Sequence, residues 1–141
     1  MTIVEGGRVE GYDAGPGPWL VQPLAESVRT EGETSVFVFG GRPAGQVRKV
    51  PGAGSILVHE HLGGEYAAVP LDAEATDLAV RAVAAGEREA ERPLTYARVD
   101  MLRLDDGTLA LSELEVIEPG IYLDVVPENA GHFADAVLAV L

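Results

Sequence analysis

The sequence predicts an α+β domain in which an antiparallel sheet is covered by helices on one face. Three observations predict it. Short runs with alternating apolar residues fill the chain up to about residue 71, the apolar spacing lengthens to a helical period over 72–92, and Asp106-Gly107 separates two further alternating runs. The resulting order is strands, helix, hairpin, helix, which suits one sheet with its helices segregated from the strands.

Residues 1–18 are rich in Gly and Pro, end in "AGPGP", and read as a short strand or tail followed by a linker; the domain is expected over 19–141. Ordered structure is expected to begin with "WLVQPL" (19–24), with Trp19 and the phenylalanines in the core. Within 33–50 two strand-like runs flank Gly40-Gly41, a pair able to adopt the positive φ angles of a tight hairpin turn. Residues 55–71 read as another strand, a glycine-containing turn and a short return strand. Asp72 is placed to cap the helix over 72–92, with Leu78, Ala82 and Ala85 as its apolar stripe and Pro93 as its stop. A second helix is expected over 127–141, with Pro127 near its start and Phe133, Val137, Val140 and Leu141 on one face.

At 141 residues and 47% hydrophobic composition the chain suits one domain with a sizeable core. No apolar run is long enough to span a membrane, and "MTIVEGGRVEGYD" lacks the pattern of a secretion signal, so a cytoplasmic location is expected. A net charge of −13 argues against binding to nucleic acid, which depends on clustered Lys and Arg. With no cysteine, disulfides, thiolate metal sites and cysteine nucleophiles are excluded. Lys49 is the single lysine among ten basic residues.

The acidic hairpin poses the sharper question. If Asp106-Gly107 are the two central residues of its turn, Asp100 opposes Glu113 and Arg98 opposes Glu115. Leu102, Leu104, Leu109 and Leu111 then share their face, while Ala97, Val99, Met101, Ser112, Leu114 and Val116 turn toward the helices. Directly opposed carboxylates, with Cβ atoms about 5 Å apart, destabilise a sheet. A hard divalent cation such as Mg²⁺ would relieve the conflict by drawing Asp100, Glu113 and Glu115 together. The competing reading is a solvated face on which Arg98 offsets the acids.

The stretch "YARVDMLRLDDGTLALSELEVIEP" also resembles the closing strands of the ATP-grasp ligases. "WLVQPL", "EGETSVFVFGGRPAGQVRKVP" and "VHEHLGG" resemble, in the same order, the adenine hinge, second-subdomain hairpin and glycine-containing loop of the glutathione-synthetase-like and cycloserine-synthetase-like members. The resemblance covers roughly residues 19–141 and implies the second half of the ATP-grasp fold, that is, its C-terminal subdomain. It implies ATP and Mg²⁺, or Mn²⁺, as cofactors. Gln22, Pro23 and Leu24 match the hinge that contacts adenine, and Glu33 matches the acid near the ribose hydroxyls. Lys49 matches a basic residue that reaches phosphate or an acyl phosphate. Asp100 and Glu113 match two metal ligands; Glu115 stands where most of the superfamily has Asn, and keeps an oxygen donor. Arg98 either reaches phosphate or neutralises the acids.

The same resemblance implies that the first ATP-grasp subdomain, with its phosphate-binding lysines, lies elsewhere: in a longer parent protein, in a partner chain or in a dimer mate. Two functional classes follow. The chain is part of an ATP-dependent ligase that activates a small carboxylate as an acyl phosphate and passes it to an amine, or it is a truncated remnant that binds nucleotide weakly, or another protein, without catalysis. His59 and His61 share a face of an expected strand and suggest either a metal pair or, through "HEHLGG", substrate contact.

Overall fold

The computed structural model describes residues 13, 15–59 and 62–141. Its centre is an antiparallel sheet of five strands in the order β3-β2-β1-β4-β5. They are β1 (Glu33–Phe39), β2 (Arg42–Val50), β3 (Glu65–Val69), β4 (Tyr96–Arg103) and β5 (Leu109–Glu115). Helix α1 (Ala73–Ala90) lies between β3 and β4, and α2 (Asn129–Leu138) follows β5. The α+β class and the antiparallel sheet are those the sequence predicts.

Gly40 and Gly41, at φ 55° and 74°, form the two-residue turn between β1 and β2, which demands positive φ at both positions. The Asp72 carboxylate accepts the Ala75 amide at 2.9 Å, so the expected N-cap satisfies an otherwise orphaned donor. Glu91, at φ 52°, closes the other end of α1.

Strand β1 is central, and the alternation of its side chains divides the core. Val36 and Val38 pack with Val99, Met101 and the small residues Ala75, Ala79 and Ala82 of α1. Phe37 and Phe39 turn the other way and pack with Val47, Val126 and Ala136, the last from α2. The two helices therefore lie on opposite faces of the sheet, where the sequence suggested one, because successive residues of β1 are apolar on both sides. The stripe of α1 runs through Ala75, Ala79, Ala82 and Val83, and Ala85 is exposed. Helix α2 ends before Val140 and Leu141, both exposed; its inward residues are Asn129, Phe133 and Ala136.

Other expectations also change. Residues 19–24 adopt no regular element and Trp19 is 61% exposed, its indole nitrogen donating to the Gly15 carbonyl at 3.1 Å; only the phenylalanines reach the core. Residues 55–59 are not a strand. They sit in a tight loop in which the amides of Leu62 and Gly64 both donate to the His59 carbonyl, at 3.0 and 3.1 Å. Glu60 and His61, like residues 1–12 and 14, lie outside the described residues, and with them most of the suggested tail and one member of the suggested histidine pair.

The β4–β5 loop is one residue longer than a two-residue turn. The Leu104 amide donates to Thr108 and the Gly107 amide to Leu104, with Gly107 at φ 85°, so Leu109 opposes Arg103 and packs on the α1 side. An irregularity beside Asp100 leaves Ser112 as the extra residue of β5 and cancels the shift. Asp100 consequently still opposes Glu113, and Arg98 opposes Glu115. Among the described residues no helix is long and apolar enough to cross a membrane.

Candidate functional site

The face of the sheet that carries α2 is apolar at one end and ionic at the other. Cross-strand pairing places Glu33 opposite Lys49, Ser35 opposite Asp100 and Arg98 opposite Glu115. Directly paired residues share a face, so four strands deliver six polar side chains to one place. Asp100 is its centre. It accepts from Ser35 Oγ at 2.6 Å, from Lys49 Nζ at 3.2 Å, and from Arg98 through Nε at 3.0 and 3.1 Å and Nη2 at 2.9 Å. Lys49 also pairs with Glu33, and Arg98 with Glu115.

Asp100, Lys49 and Arg98 are only 1%, 3% and 9% exposed. Burial would raise the Asp100 carboxyl, but the hydrogen bonds from Arg98 and the charge of Lys49 outweigh it and hold the acid below its usual range. Burial pulls Lys49 down, yet Asp100 and Glu33 together hold it above the ordinary lysine value. For Glu33 burial wins over the attraction of Lys49, and its carboxyl is raised.

The residues picked from sequence separate into two groups. Lys49, Glu33, Arg98, Asp100 and Glu115 join in one ion-paired cluster. Glu113 stands opposite Asp100 but is exposed. Gln22 and Pro23 are exposed in the extended segment that leads to a 3-10 turn, Glu26–Arg29, and Leu24 is half-buried. Asp100 is paired with two cations, Lys49 and Arg98, while Glu113 points to solvent. The carboxylate oxygens of Asp100, Glu113 and Glu115 are the right donors for a hard cation, though among the described residues no three His, Cys, Asp or Glu are gathered in a metal-binding arrangement.

Three contributors were not foreseen. Ser35 was readable, since it lies two residues from Glu33 on the same side of a strand. Gly120 and Tyr122 were not, because they belong to the irregular segment after β5. The Gly120 carbonyl accepts from Arg98 Nη1 at 3.3 Å. The Tyr122 ring centre lies 6.0 Å from Lys49 Nζ and 5.7 Å from Arg98 Cζ, within reach of cation–π attraction.

No protein-family model matches the chain. It is 32% identical over 128 residues to the cycloserine biosynthesis protein DcsG of Streptomyces lavendulae, an alignment that spans 84% of this chain and 40% of that protein. The crystal structure of D-cycloserine synthetase DcsG superposes with a TM-score of 0.70 at 30% identity, over 82% of this chain and 40% of that one. The ATP-grasp ligase PsnB, solved with a phosphomimetic variant of its minimal precursor, Mg and ADP, has a TM-score of 0.50 at 18% identity, over 78% of this chain and 32% of its own. The chain is a partial-length homologue of DcsG, and its fold is that of the ATP-grasp ligases. Its ion-paired cluster thus sits on the open sheet of an ATP-grasp fold, and the chain spans about 40% of the DcsG relative's length.

Proposed function

We propose that this chain forms one wall of the Mg-ATP site of an ATP-dependent ligase that activates a small carboxylate as an acyl phosphate and passes it to an amine. The observation that carries the reading is the gathering of Lys49, Arg98 and Asp100 with Glu33 and Glu115 on one sheet face of an ATP-grasp homologue. Lys49 and Arg98 are the groups for phosphate and acyl-phosphate oxygens, Gln22, Pro23 and Leu24 for adenine, and Glu33 for ribose. Asp100, Glu113 and Glu115 are the residues that would hold Mg²⁺ or Mn²⁺, an ion that neutralises phosphate charge during transfer. The opposite wall comes from further ATP-grasp sequence, in the same polypeptide or in a partner chain.

With one wall, phosphates stay in water, where each ionic contact is worth far less than in a closed site. The 141-residue chain should therefore bind Mg-ATP at roughly millimolar Kd, about 4 kcal/mol, without ligase turnover. Calorimetry on the wild type and Lys49→Ala tests the binding, and loss of heat in the variant supports it. Phosphate release driven by amino acids or other small carboxylates from the chain alone would overturn the one-wall reading. Metal is tested separately: Mg²⁺ or Mn²⁺ should raise Tm, and Asp100→Asn with Glu113→Gln should remove the rise. No nucleotide binding in the presence of metal would favour a non-catalytic remnant that binds another protein.

A further inference from the structure

The cations proposed for phosphate are shut in. Lys49 and Arg98 are almost fully buried, and the segment 116–126 that follows β5 crosses over them. Tyr122 is the contact. Its ring lies over both cations and also meets Tyr66 and Phe37, with ring centres 5.0 and 5.8 Å away. It is held at φ 48°, and Glu118, four residues earlier, at φ 55°. Two non-glycine residues in the left-handed region within five positions cost free energy that other contacts must offset.

Part of that offset comes from the cluster itself. Arg98 Nη1 donates to the Gly120 carbonyl at 3.3 Å, and the two cations attract the ring. The other ties are Asn129 Nδ2 to the Ile121 carbonyl at 2.8 Å, the amides of Val125 and Val126 to the Tyr122 carbonyl at 3.1 and 2.7 Å, and the packing of Ile121, Val125 and Val126 against the core of Phe37, Phe39 and Val47. Whatever draws Lys49 and Arg98 away from Asp100 also removes the cation–ring contacts and the Arg98–Gly120 hydrogen bond that help to hold Tyr122 down. The two events are coupled, and coupling acts equally in both directions.

We propose that Tyr122 is a positioning residue that closes segment 116–126 over Lys49 and Arg98, and that polyphosphate must displace it to reach them. The proposal rests on the nucleotide reading above and adds a competition to it: the closed segment and the phosphate contend for the same two cations. In the closed state the cations keep to Asp100, Glu33 and Glu115; in the open state the strained segment relaxes and the phosphate takes over their charge.

The sign of the effect makes it testable. A ring that merely supported the site would, once removed, weaken binding; a ring that covers it would, once removed, tighten binding. Calorimetry with Mg-ATP and with inorganic tripolyphosphate is run on the wild type, Tyr122→Ala and Tyr122→Leu, the last keeping apolar volume beside Phe37 and Tyr66 in case the alanine variant does not fold. The folded variants should bind both probes about fivefold tighter or more. In the wild type, saturating Mg-ATP should speed hydrogen exchange at the Val125 and Val126 amides. Unchanged or weaker binding by the variants, or slower exchange at those amides, overturns the proposal while leaving the nucleotide reading intact. Failure of every form, wild type included, to bind either probe overturns both. Binding by a variant alone would support the closure and would trace the absence of binding in the wild type to the covered site, not to a remnant that binds no nucleotide.

Discussion

On one face of the sheet Val36, Val38, Val99 and Met101 meet Ala75, Ala79, Ala82 and Val83 of α1; on the other, Glu33, Ser35, Lys49, Arg98 and Asp100 meet one another beneath Tyr122. Both are dry. The first is dry because apolar surface is removed from water, the second because each desolvated charge has a partner. Apolar burial is insensitive to pH and has no second arrangement nearby. A buried ion cluster contributes little net stability, since desolvation opposes the ionic attraction, but it leaves charges that can exchange partners. The difference teaches where a fold can store chemistry: the apolar face holds the sheet in shape, and the ionic face keeps groups that a phosphate can claim.

Breaking the ionic face should have the largest effect. Asp100→Ala leaves Lys49 and Arg98 buried around a missing partner and should destabilise the chain by about 3–5 kcal/mol in urea unfolding. Met101→Ala, its neighbour on the apolar face, should cost about 2–5 kcal/mol through a cavity, and that cost should be the same from pH 4 to pH 8. A loss in Asp100→Ala that did not shrink as pH fell below the ordinary aspartate value would erase the contrast between the faces.

Titration sharpens the comparison. The folded Asp100 carboxyl is lowered, so its contribution is present above its unfolded pKa and fades as pH falls through the folded value. Glu33 is raised, so its contribution is present below its unfolded pKa and is lost as pH rises through the folded one. Stability should therefore fall toward strong acid through Asp100 and also decline above the ordinary glutamate range through Glu33. Glu33→Gln should flatten the second limb alone; an unchanged profile would show that burial of Glu33 costs nothing.

Smaller effects lie at the edge of the apolar face. Asp72→Ala removes the cap of α1 and should cost about 1 kcal/mol. Arg81→Ala breaks only an exposed pair with Asp77 and should change unfolding by about 0.3 kcal/mol, a baseline against which the buried ion pairs are judged.

Local chemistry carried the parts of the structure that a few adjacent residues decide. Gly40-Gly41 must turn, Asp72 must cap, and the alternation around Asp100 and Glu113 shows in the side chains themselves. The residues that share a strand face with Asp100 were legible for the same reason, Ser35 included. Tertiary structure decided what depends on distant partners. Residues 55–59 have strand-like composition without becoming a strand, and the second helix took the opposite face because Phe37 and Phe39 needed cover there as much as Val36 and Val38 did on the other side. The hairpin shows both at once: its turn departs by one residue from the expected form, and the irregularity at Ser112 restores the pairing. Tyr122 had no periodicity to announce it. Its place over Lys49 and Arg98 comes from an irregular segment tied down by residues up to 73 positions away, Lys49 at the far end, and only the packed chain brings such groups together.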